Sequence, residues 1–146
     1  DATRTNTKTS TTGSITQVSD SVISGSTVGG GFCGNSVPVP VYFYAAFDRP
    51  FTSAAISHGV AQLGFRSGLT VKMKIGISYV SVANAKANLD AENRGWDFDG
   101  VRAQADSTWN DRLNAIRVAG GNDGATNKFY TALYHALWAP SIFSDV

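Results

Sequence analysis

Few residues of this 146-residue chain have side chains that could perform chemistry, and those few stand far apart. The one cysteine, Cys33, and the two histidines, His58 and His135, show none of the paired spacings that a zinc site requires. No histidine neighbours Cys33, so the pattern favours a structural thiol over a catalytic thiolate. His135 stands within an apolar segment, where a histidine is usually a hydrogen-bonded core residue. His58 is interpreted as a surface or turn residue.

Loop carboxylates and glycines are the remaining candidates. Asp145 follows "PSIF" just beyond a predicted helix, and loops on rigid scaffolds carry function out of proportion to their length. Asp97 and Asp99 are explained more simply as caps whose charge suits a helix N-terminus. The segment "GGGFCGNS" around Phe32 and Cys33 matches neither a phosphate-binding loop nor a dinucleotide-binding fingerprint. Motif chemistry alone therefore does not identify an active site.

Composition argues against several classes of partner. The net charge is +1, only 16% of the residues are charged, and the lysines and arginines are scattered, so neither nucleic acid nor an acidic membrane surface is indicated. No run approaches the roughly 20 apolar residues of a membrane span. The polar start "DATRTNTKTS" has no secretion signal, which suggests that a signal was removed or that the chain begins inside a longer one.

The first half of the chain predicts an antiparallel sheet. Residues 13–28 favour two short strands around a turn at Ser19-Asp20, residues 37–47 a third strand, and residues 51–68 a further short strand. The clearest strand is the stretch 69–79, in which large apolar residues alternate with lysines and small residues. This alternation predicts that one face is buried and the other is in water. The predicted buried set is Leu69, Val71, Met73, Ile75, Ile77 and Tyr79.

At Ser81 the period changes to that of a helix. Ser81 is a capping residue before an alanine-rich segment, and a second helix is predicted from Asp97 or Asp99 onward. After a glycine-rich break at 119–126, a third helix is predicted up to Pro140. That third helix is apolar over most of its circumference, as buried helices are, yet the chain has little left to cover it. We interpret the chain as the front part of a larger protein; an oligomer interface is the alternative.

Three segments together resemble the calcium-dependent exo-acting α-mannosidases of glycoside hydrolase family 92. They run in order through nearly the whole chain from about Gly13. The segments are "GGGFCG" with "VYFYAAFDRPF", then "VKMKIGISYVSVANAKANLDAE" with "WDFDGVRAQADSTWNDRLNAI", and finally "FYTALYHALWAPSIFSDV".

The resemblance implies an α+β fold, in which an antiparallel β-sandwich portion is followed by linker helices and the first helix of an (α/α)6 barrel. Residues 1–82 would belong to the sandwich, residues 83–125 to the helical linker, and residues 126–146 to the start of a truncated catalytic barrel. This division agrees with the change of period at Ser81.

The chemistry that the resemblance implies is removal of terminal α-linked mannose, with α-1,2 linkages expected, inversion at the anomeric carbon, and calcium as cofactor. An inverting site needs two carboxyl groups roughly 6.5–9.5 Å apart, and calcium needs six to eight oxygen ligands. In the family these groups belong to later barrel segments without counterparts here. The expectation is therefore no catalytic residue and no metal ligand in this chain, which alone should be inactive.

A small set of binding residues follows from the same resemblance. Asp145 would accept hydrogen bonds from sugar hydroxyls, and the loop with Phe32 and Cys33 would approach the pocket from the sandwich side. The implied partners are mannose-containing glycans and the rest of the same polypeptide, and the implied location is secreted or periplasmic.

Two other functions remain open from the residues. The first is a β-sandwich that binds carbohydrate without cleaving it, using Tyr42, Tyr44 or Trp96 as a stacking platform. The second is an assembly module whose final helix docks on another chain.

Overall fold

The computed structural model describes Ala2, residues 13–29 and 37–139, Ile142, and residues 144–146. Phe32 and Cys33 lie outside these described residues. The described strands and helices are β1 (Ser14–Gln17), β2 (Val22–Gly29), β3 (Val39–Phe47), β4 (Ser53–Ser57), β5 (Val60–Gly64), β6 (Met73–Ser78), α1 (Val82–Glu92), α2 (Phe98–Leu113) and α3 (Asp123–Ala136).

The strands form a four-stranded antiparallel sheet in the order β1-β2-β3-β6 and a separate two-stranded sheet of β4 and β5. The pairing of β2 with β3 is the longest, from Val22 opposite Ala46 to Gly29 opposite Val39. The predicted turn at Ser19-Asp20 lies between β1 and β2. An α+β fold with antiparallel sheets before helices is thus confirmed.

The hairpin of β4 and β5 was only half predicted, because one strand was expected where two are present. The strands are joined at His58 and Gly59, whose φ angles are +50° and +72°. Positive φ at both central residues is characteristic of the tight turn that suits hairpin twist, and Asn-Gly is its usual sequence signal. The prediction that His58 is a turn residue is confirmed, and its ring Nδ1 lies 2.9 Å from the Ser57 hydroxyl.

Helix α1 packs on the face of β6 that carries Lys74, Gly76 and Ser78. Ser78 is 3% exposed, whereas Ile75 and Ile77 on the opposite face are 49% and 55% exposed. The period of two is confirmed over Met73–Ser78, the part of 69–79 that forms a strand, but the assignment of its faces was wrong there. Glycine at position 76 explains the difference, because it lets the backbone of the helix approach the strand more closely than a side chain would permit.

Lys74 on this face is not fully in water as predicted; it contacts the residues that follow the end of α1, and the exposed Lys72 contacts a residue a little further along. Lys74 Nζ donates to the carbonyl oxygens of Asn93 and Arg94 at 3.0 and 3.2 Å and lies 4.7 Å from the centre of the Trp96 ring. Lys72 Nζ donates to the Trp96 carbonyl at 2.7 Å. Helix α1 has no basic residue in its own last turn, so Lys74 supplies a cation that suits a helix C-terminus.

The chain divides into two compact units, residues 1–96 with 144–146, and residues 97–143. In the second unit, Asp97 caps α2 through Gly100 N, and Asn122 caps α3 through Ala125 N. Because of that asparagine, α3 begins at Asp123, three residues before the predicted start at Thr126. Neither helix contains a buried residue. The predicted domain limits, 1–82, 83–125 and 126–146, stay a prediction.

We expect Gly76→Ala to destabilise the first unit by about 1–3 kcal/mol, the usual cost of overpacking. The new methyl group would meet the Ala85 carbonyl oxygen and would lie 2.8 Å from Leu89 Cβ. Urea unfolding followed by circular dichroism measures the change. Gly29→Ala is the matched control, because a methyl group at Gly29 meets no atom of the described residues within 4 Å. An equal loss in both variants would show that close packing of α1 is not the cause.

Candidate functional site

The Asp145 carboxylate is held by three side-chain donors from the first unit. Its Oδ2 accepts hydrogen bonds from Ser78 Oγ and Asn84 Nδ2, both at 2.8 Å. Its Oδ1 accepts a hydrogen bond from Asn88 Nδ2 at 2.7 Å. Ser78 is the last residue of β6, and both asparagines lie on α1. We call these four residues the Asp145 cluster.

The Ser78 hydroxyl is oriented as a donor by the turn that follows β6. Its oxygen accepts hydrogen bonds from the backbone N–H groups of Val80 at 2.9 Å and Ser81 at 3.4 Å. Since a hydroxyl has one proton and two acceptor positions, that proton is left for Asp145. Burial of Ser78 beneath α1 keeps this arrangement away from competing water.

The Asn84 side chain is oriented by the cap of α1. The Ser81 hydroxyl accepts a hydrogen bond from Asn84 N at 3.0 Å and donates one to Asn84 Oδ1 at 2.7 Å. The amide oxygen is thereby engaged, and the amide nitrogen faces Asp145. The serine that the sequence predicts as a helix start therefore also fixes which way this amide points.

Asn88 lies one helical turn beyond Asn84, on the same face of α1. Its Oδ1 accepts a hydrogen bond from Val146 N at 3.0 Å, and its Nδ2 donates to the Ile77 carbonyl at 2.8 Å as well as to Asp145. Both ends of this buried amide are therefore satisfied, and the interaction ties residues 145 and 146 to the sheet and the helix.

These hydrogen bonds lower the pKa of the Asp145 carboxyl from its ordinary value. The bond from Asn88 contributes most, the bond from Ser78 follows, partial removal from water acts in the opposite direction, and Asn84 adds a smaller lowering. All three side-chain donors are neutral, so the carboxylate is stabilised in its charged form without being neutralised by a cation. At neutral pH Asp145 is an ionised acceptor.

The Asp145 carboxylate of this cluster can accept hydrogen bonds. One carboxylate cannot supply both the acid and the base of a glycosidase. Among the described residues, no group of three or more histidine, cysteine, aspartate or glutamate side chains could hold a metal ion. Within the same part of the chain, no helix is both long and apolar enough to span a bilayer.

The structure brings together residues that the sequence did not connect. Asp145 was singled out as a candidate, whereas Ser78, Asn84 and Asn88 were missed. The spacing of Ser81, Asn84 and Asn88 along one helix face was a usable signal for aligned polar groups. The sequence contains no signal for their partner, which follows Asn88 by 57 residues.

His135, another predicted candidate, belongs to the second unit. His135 is on α3, in ring contact with Tyr134 and Trp138 at centroid distances of 5.7 and 6.0 Å. Phe32 and Cys33 lie outside the described residues, so their role stays a prediction.

Comparison with known proteins finds a family match over the C-terminal part of the chain. Residues 84–146 match the model of the "Glycosyl hydrolase family 92 catalytic domain". These residues are similar to glycoside hydrolase family 92. The resemblance that the sequence suggested is confirmed, and the match includes Asn84, Asn88 and Asp145.

A relative and a solved enzyme are similar over different shares of the chain. An "Uncharacterized secreted glycosidase" from Arthroderma benhamiae is 30% identical over 78 residues, which are 51% of this chain and 10% of that protein. A family 92 alpha-mannosidase from Bacteroides thetaiotaomicron has a similar structure over 91% of this chain and 21% of its own length, with a TM-score of 0.73 and 24% identity.

The same solved enzyme in complex with mannoimidazole is also similar, with a TM-score of 0.73 and 24% identity over 91% of this chain and 20% of its own. This likeness supports the α+β fold. The chain spans about a tenth of the Arthroderma relative and about a fifth of the solved enzyme.

Asp145→Asn is expected to destabilise the first unit most near neutral pH. The amide nitrogen of the introduced asparagine would face one of the donors of Ser78, Asn84 or Asn88, and the negative charge of the carboxylate would be lost. Because the pKa of Asp145 is lower in the folded chain, ionisation favours folding above the unfolded value of about 3.9. The stabilisation from ionised Asp145 is lost as the pH falls through the pKa that Asp145 has in the folded chain.

Denaturant unfolding of both proteins near neutral pH and below about pH 3 tests this prediction. The difference between their midpoints should shrink in acid. Asp90→Asn, which removes an exposed partner of Lys86 on the same helix, is the control and should change little. A difference that is constant with pH would contradict a role for the charge.

Asn88→Asp is expected to show the opposite trend. A second carboxylate beside Asp145 would repel it and raise the pKa of both groups, so the variant should regain stability as the pH falls toward the ordinary carboxyl range. Asn88→Ala removes the hydrogen bonds without adding charge and should cost about 1–3 kcal/mol. Unfolding midpoints are measured for both variants across this pH range. Repulsion between the two carboxylates depends on pH, whereas loss of the Asn88 hydrogen bonds affects both variants.

Proposed function

We propose that this chain is part of an exo-acting α-mannosidase that removes terminal α-linked mannose from glycans. The observation that carries the proposal is the family 92 match over residues 84–146. The structural likeness to an enzyme named as an alpha-mannosidase, one structure of which holds mannoimidazole, supports the same substrate class. We further propose that α-1,2 linkages are cleaved and that the anomeric configuration is inverted.

The residues that perform the reaction belong, in this proposal, to other parts of the polypeptide. Inversion requires one carboxyl group to protonate the leaving oxygen and another to activate water on the opposite face of the sugar. The Asp145 cluster provides a single carboxylate whose environment keeps it ionised, which is unsuited to donating a proton. Hydrolysis by the 146 residues alone is therefore not expected.

Calcium is proposed as cofactor of the whole enzyme and does not fit the described residues. A calcium ion requires six to eight oxygen ligands. The Asp145 oxygens face three protein donors, and no further acidic side chains gather around them within the described residues. We propose that its ligands lie outside the described residues.

Asp145 is proposed to bind the substrate by accepting a hydrogen bond from a sugar hydroxyl. A charged acceptor strengthens such a bond, and the ionised carboxylate lies in a loop on a rigid scaffold. The loop containing Phe32 and Cys33 is proposed to contribute a second surface to the pocket. Mannose-containing glycans and the remainder of the polypeptide are the proposed partners.

Carbohydrate binding without cleavage is supported less well. Two of the three aromatic residues considered for stacking already have cationic partners, since Lys74 lies 4.7 Å from the Trp96 ring centre and Lys86 lies 5.8 Å from that of Tyr44. A secreted or periplasmic location is proposed, with support from the Arthroderma relative described as a secreted glycosidase.

The protein encoded by the complete reading frame that contains this chain is expected to release mannose from an α-1,2-linked mannobiose. Release should stop with a calcium chelator and return when calcium is restored. Proton NMR early in the reaction should show β-mannose as the first product, because inversion converts an α-linkage to a β-hemiacetal. Release of α-mannose first would contradict inversion, release insensitive to the chelator would contradict the calcium requirement, and no release from any α-mannoside would contradict the proposed function.

A further inference from the structure

We propose that the free edge of β6 pairs with a further β-strand, supplied by the part of the same polypeptide outside residues 1–146, and that this strand covers the side chains of Met73, Ile75 and Ile77. The proposal rests on the proposed function in one respect, namely that the chain is part of a longer enzyme. It assigns a docking surface on this chain to the remainder of the polypeptide.

The backbone groups of β6 form two sets that point in opposite directions. Just before β6, Asp48 N donates to the Lys72 carbonyl at 3.1 Å. Residues directly opposite each other in an antiparallel pair alternate between hydrogen-bonded and non-hydrogen-bonded. The pairs that Lys74 and Gly76 form with β3 are therefore hydrogen-bonded ones. The N–H and C=O groups of the residues between them point away from β3.

The groups that point away from β3 belong to Met73, Ile75 and Ile77. The Ile77 carbonyl agrees with this assignment, because it accepts a hydrogen bond at 2.8 Å from Asn88 of α1. Within the described residues β6 pairs with β3 alone, so the backbone groups of Met73 and Ile75 have no strand partner there. Such unpaired groups on an edge strand are a template for pairing with another strand.

The side chains of the same three residues belong to an apolar face that is buried over the rest of the sheet. Met73, Ile75 and Ile77 are 55%, 49% and 55% exposed. By contrast, Ala45, which lies opposite Ile75 on β3, is 2% exposed, and Ile23, which lies opposite Ala45 on β2, is 8% exposed. The exposed apolar part at β6 therefore continues a core that is already formed at β2 and β3.

The edge of β6 has none of the features that prevent pairing. Natural edge strands are protected by proline, by charged side chains or by a bulge. β6 contains no proline and pairs with β3 without a bulge. Its one charged residue, Lys74, lies on the other face, where it binds carbonyl oxygens just beyond α1. Since Asn88 already occupies the Ile77 carbonyl, the open part of the edge is the stretch with Met73 and Ile75.

The length of the solved relative favours a strand of the same polypeptide as the occupant. The structure of that enzyme is similar over 91% of this chain but only 21% of its own length. A strand with apolar residues at alternate positions fits the edge, because its backbone pairs with Met73 and Ile75 while its side chains extend the apolar face. A strand in the same polypeptide also docks without the loss of translational freedom that binding a separate molecule costs.

Amide hydrogen exchange of the complete enzyme, resolved to single residues by mass spectrometry, tests the pairing. The N–H groups of Met73 and Ile75 are expected to exchange at least about 100-fold more slowly than in an unfolded peptide. The amides of Lys74 and Gly76, which pair with β3, are the internal control. Fast exchange at Met73 and Ile75 beside slow exchange at the controls would show a free edge and overturn the proposal, as would fast exchange at all four.

A pair of lysine variants of the complete enzyme tests whether the apolar side chains are covered. Ile75→Lys should lower the unfolding midpoint by several degrees, because it places a charge beneath the docked strand. Val18→Lys is the matched control and should change the midpoint little, since Val18 is 52% exposed and lies outside the strands. Equal shifts in the two variants would contradict coverage of β6.

Dilution of the purified enzyme identifies the source of the strand. Slow exchange at Met73 and Ile75 should persist over an about 100-fold dilution; its loss would assign the edge to a second copy and overturn the proposed occupant. Mannose release by the same preparation separates the two proposals. If mannose is released but the edge exchanges fast, strand docking is wrong and the function stands. If the edge is protected but no α-mannoside is cleaved, strand docking stands and the function is wrong.

Discussion

The close approach of α1 to β6 at Gly76 is the constraint on which the arrangement of the first unit depends. A side chain at that position would meet the Ala85 carbonyl and Leu89, so the helix could not lie where it does. Because it lies there, Asn88 reaches the Ile77 carbonyl and the face that carries Asn84 and Asn88 is presented to Asp145. The Asp145 cluster is therefore a consequence of the packing of α1 on β6, and its hydrogen-bond distances depend on that packing being maintained.

The close approach of α1 also reverses which face of β6 is buried, compared with the prediction from the sequence. Burial of the face with lysine, glycine and serine is possible because each polar group there has a partner: Lys74 binds carbonyl oxygens at the end of α1, and Ser78 binds Asp145. A buried polar group without partners would cost free energy, so this face is stable only as a complete set of hydrogen bonds. The apolar face with Ile75 and Ile77 is correspondingly the exposed one in the described structure.

Local patterns predicted the elements but not their contacts. The period of two along 69–79 and the capping serine at position 81 are local signals; the first is observed as a strand over Met73–Ser78, and the second as the cap of α1. Which face of β6 is buried depends on the helix that follows it, which periodicity does not contain. His58 was expected at the surface or in a turn, but the two-stranded hairpin around it was missed because its turn has histidine where asparagine is the usual signal.

The candidate site was predictable only in part for a related reason. Asp145 was selected because it lies in a loop, yet its surroundings are set by donors 57 to 67 residues earlier in the chain. Hydrogen bonds between residues so far apart in the sequence produce no periodic pattern in it. The family resemblance could place the segment "FSDV" in a protein class, but it could not supply the three donors, which come from the geometry of β6 and α1.

The first unit is discontinuous in sequence, since residues 144–146 return to a sheet and helix formed by residues 1–96. This has a consequence for the order of events on the ribosome. The sheet and α1 are synthesised first. Ser78 and Asn88 lack their hydrogen-bond partner Asp145 until the chain through Val146 has left the ribosome. Domains synthesised from the N-terminus generally fold as units. Here the last hydrogen bonds of the earlier unit can close only after both helices of the later one have been translated.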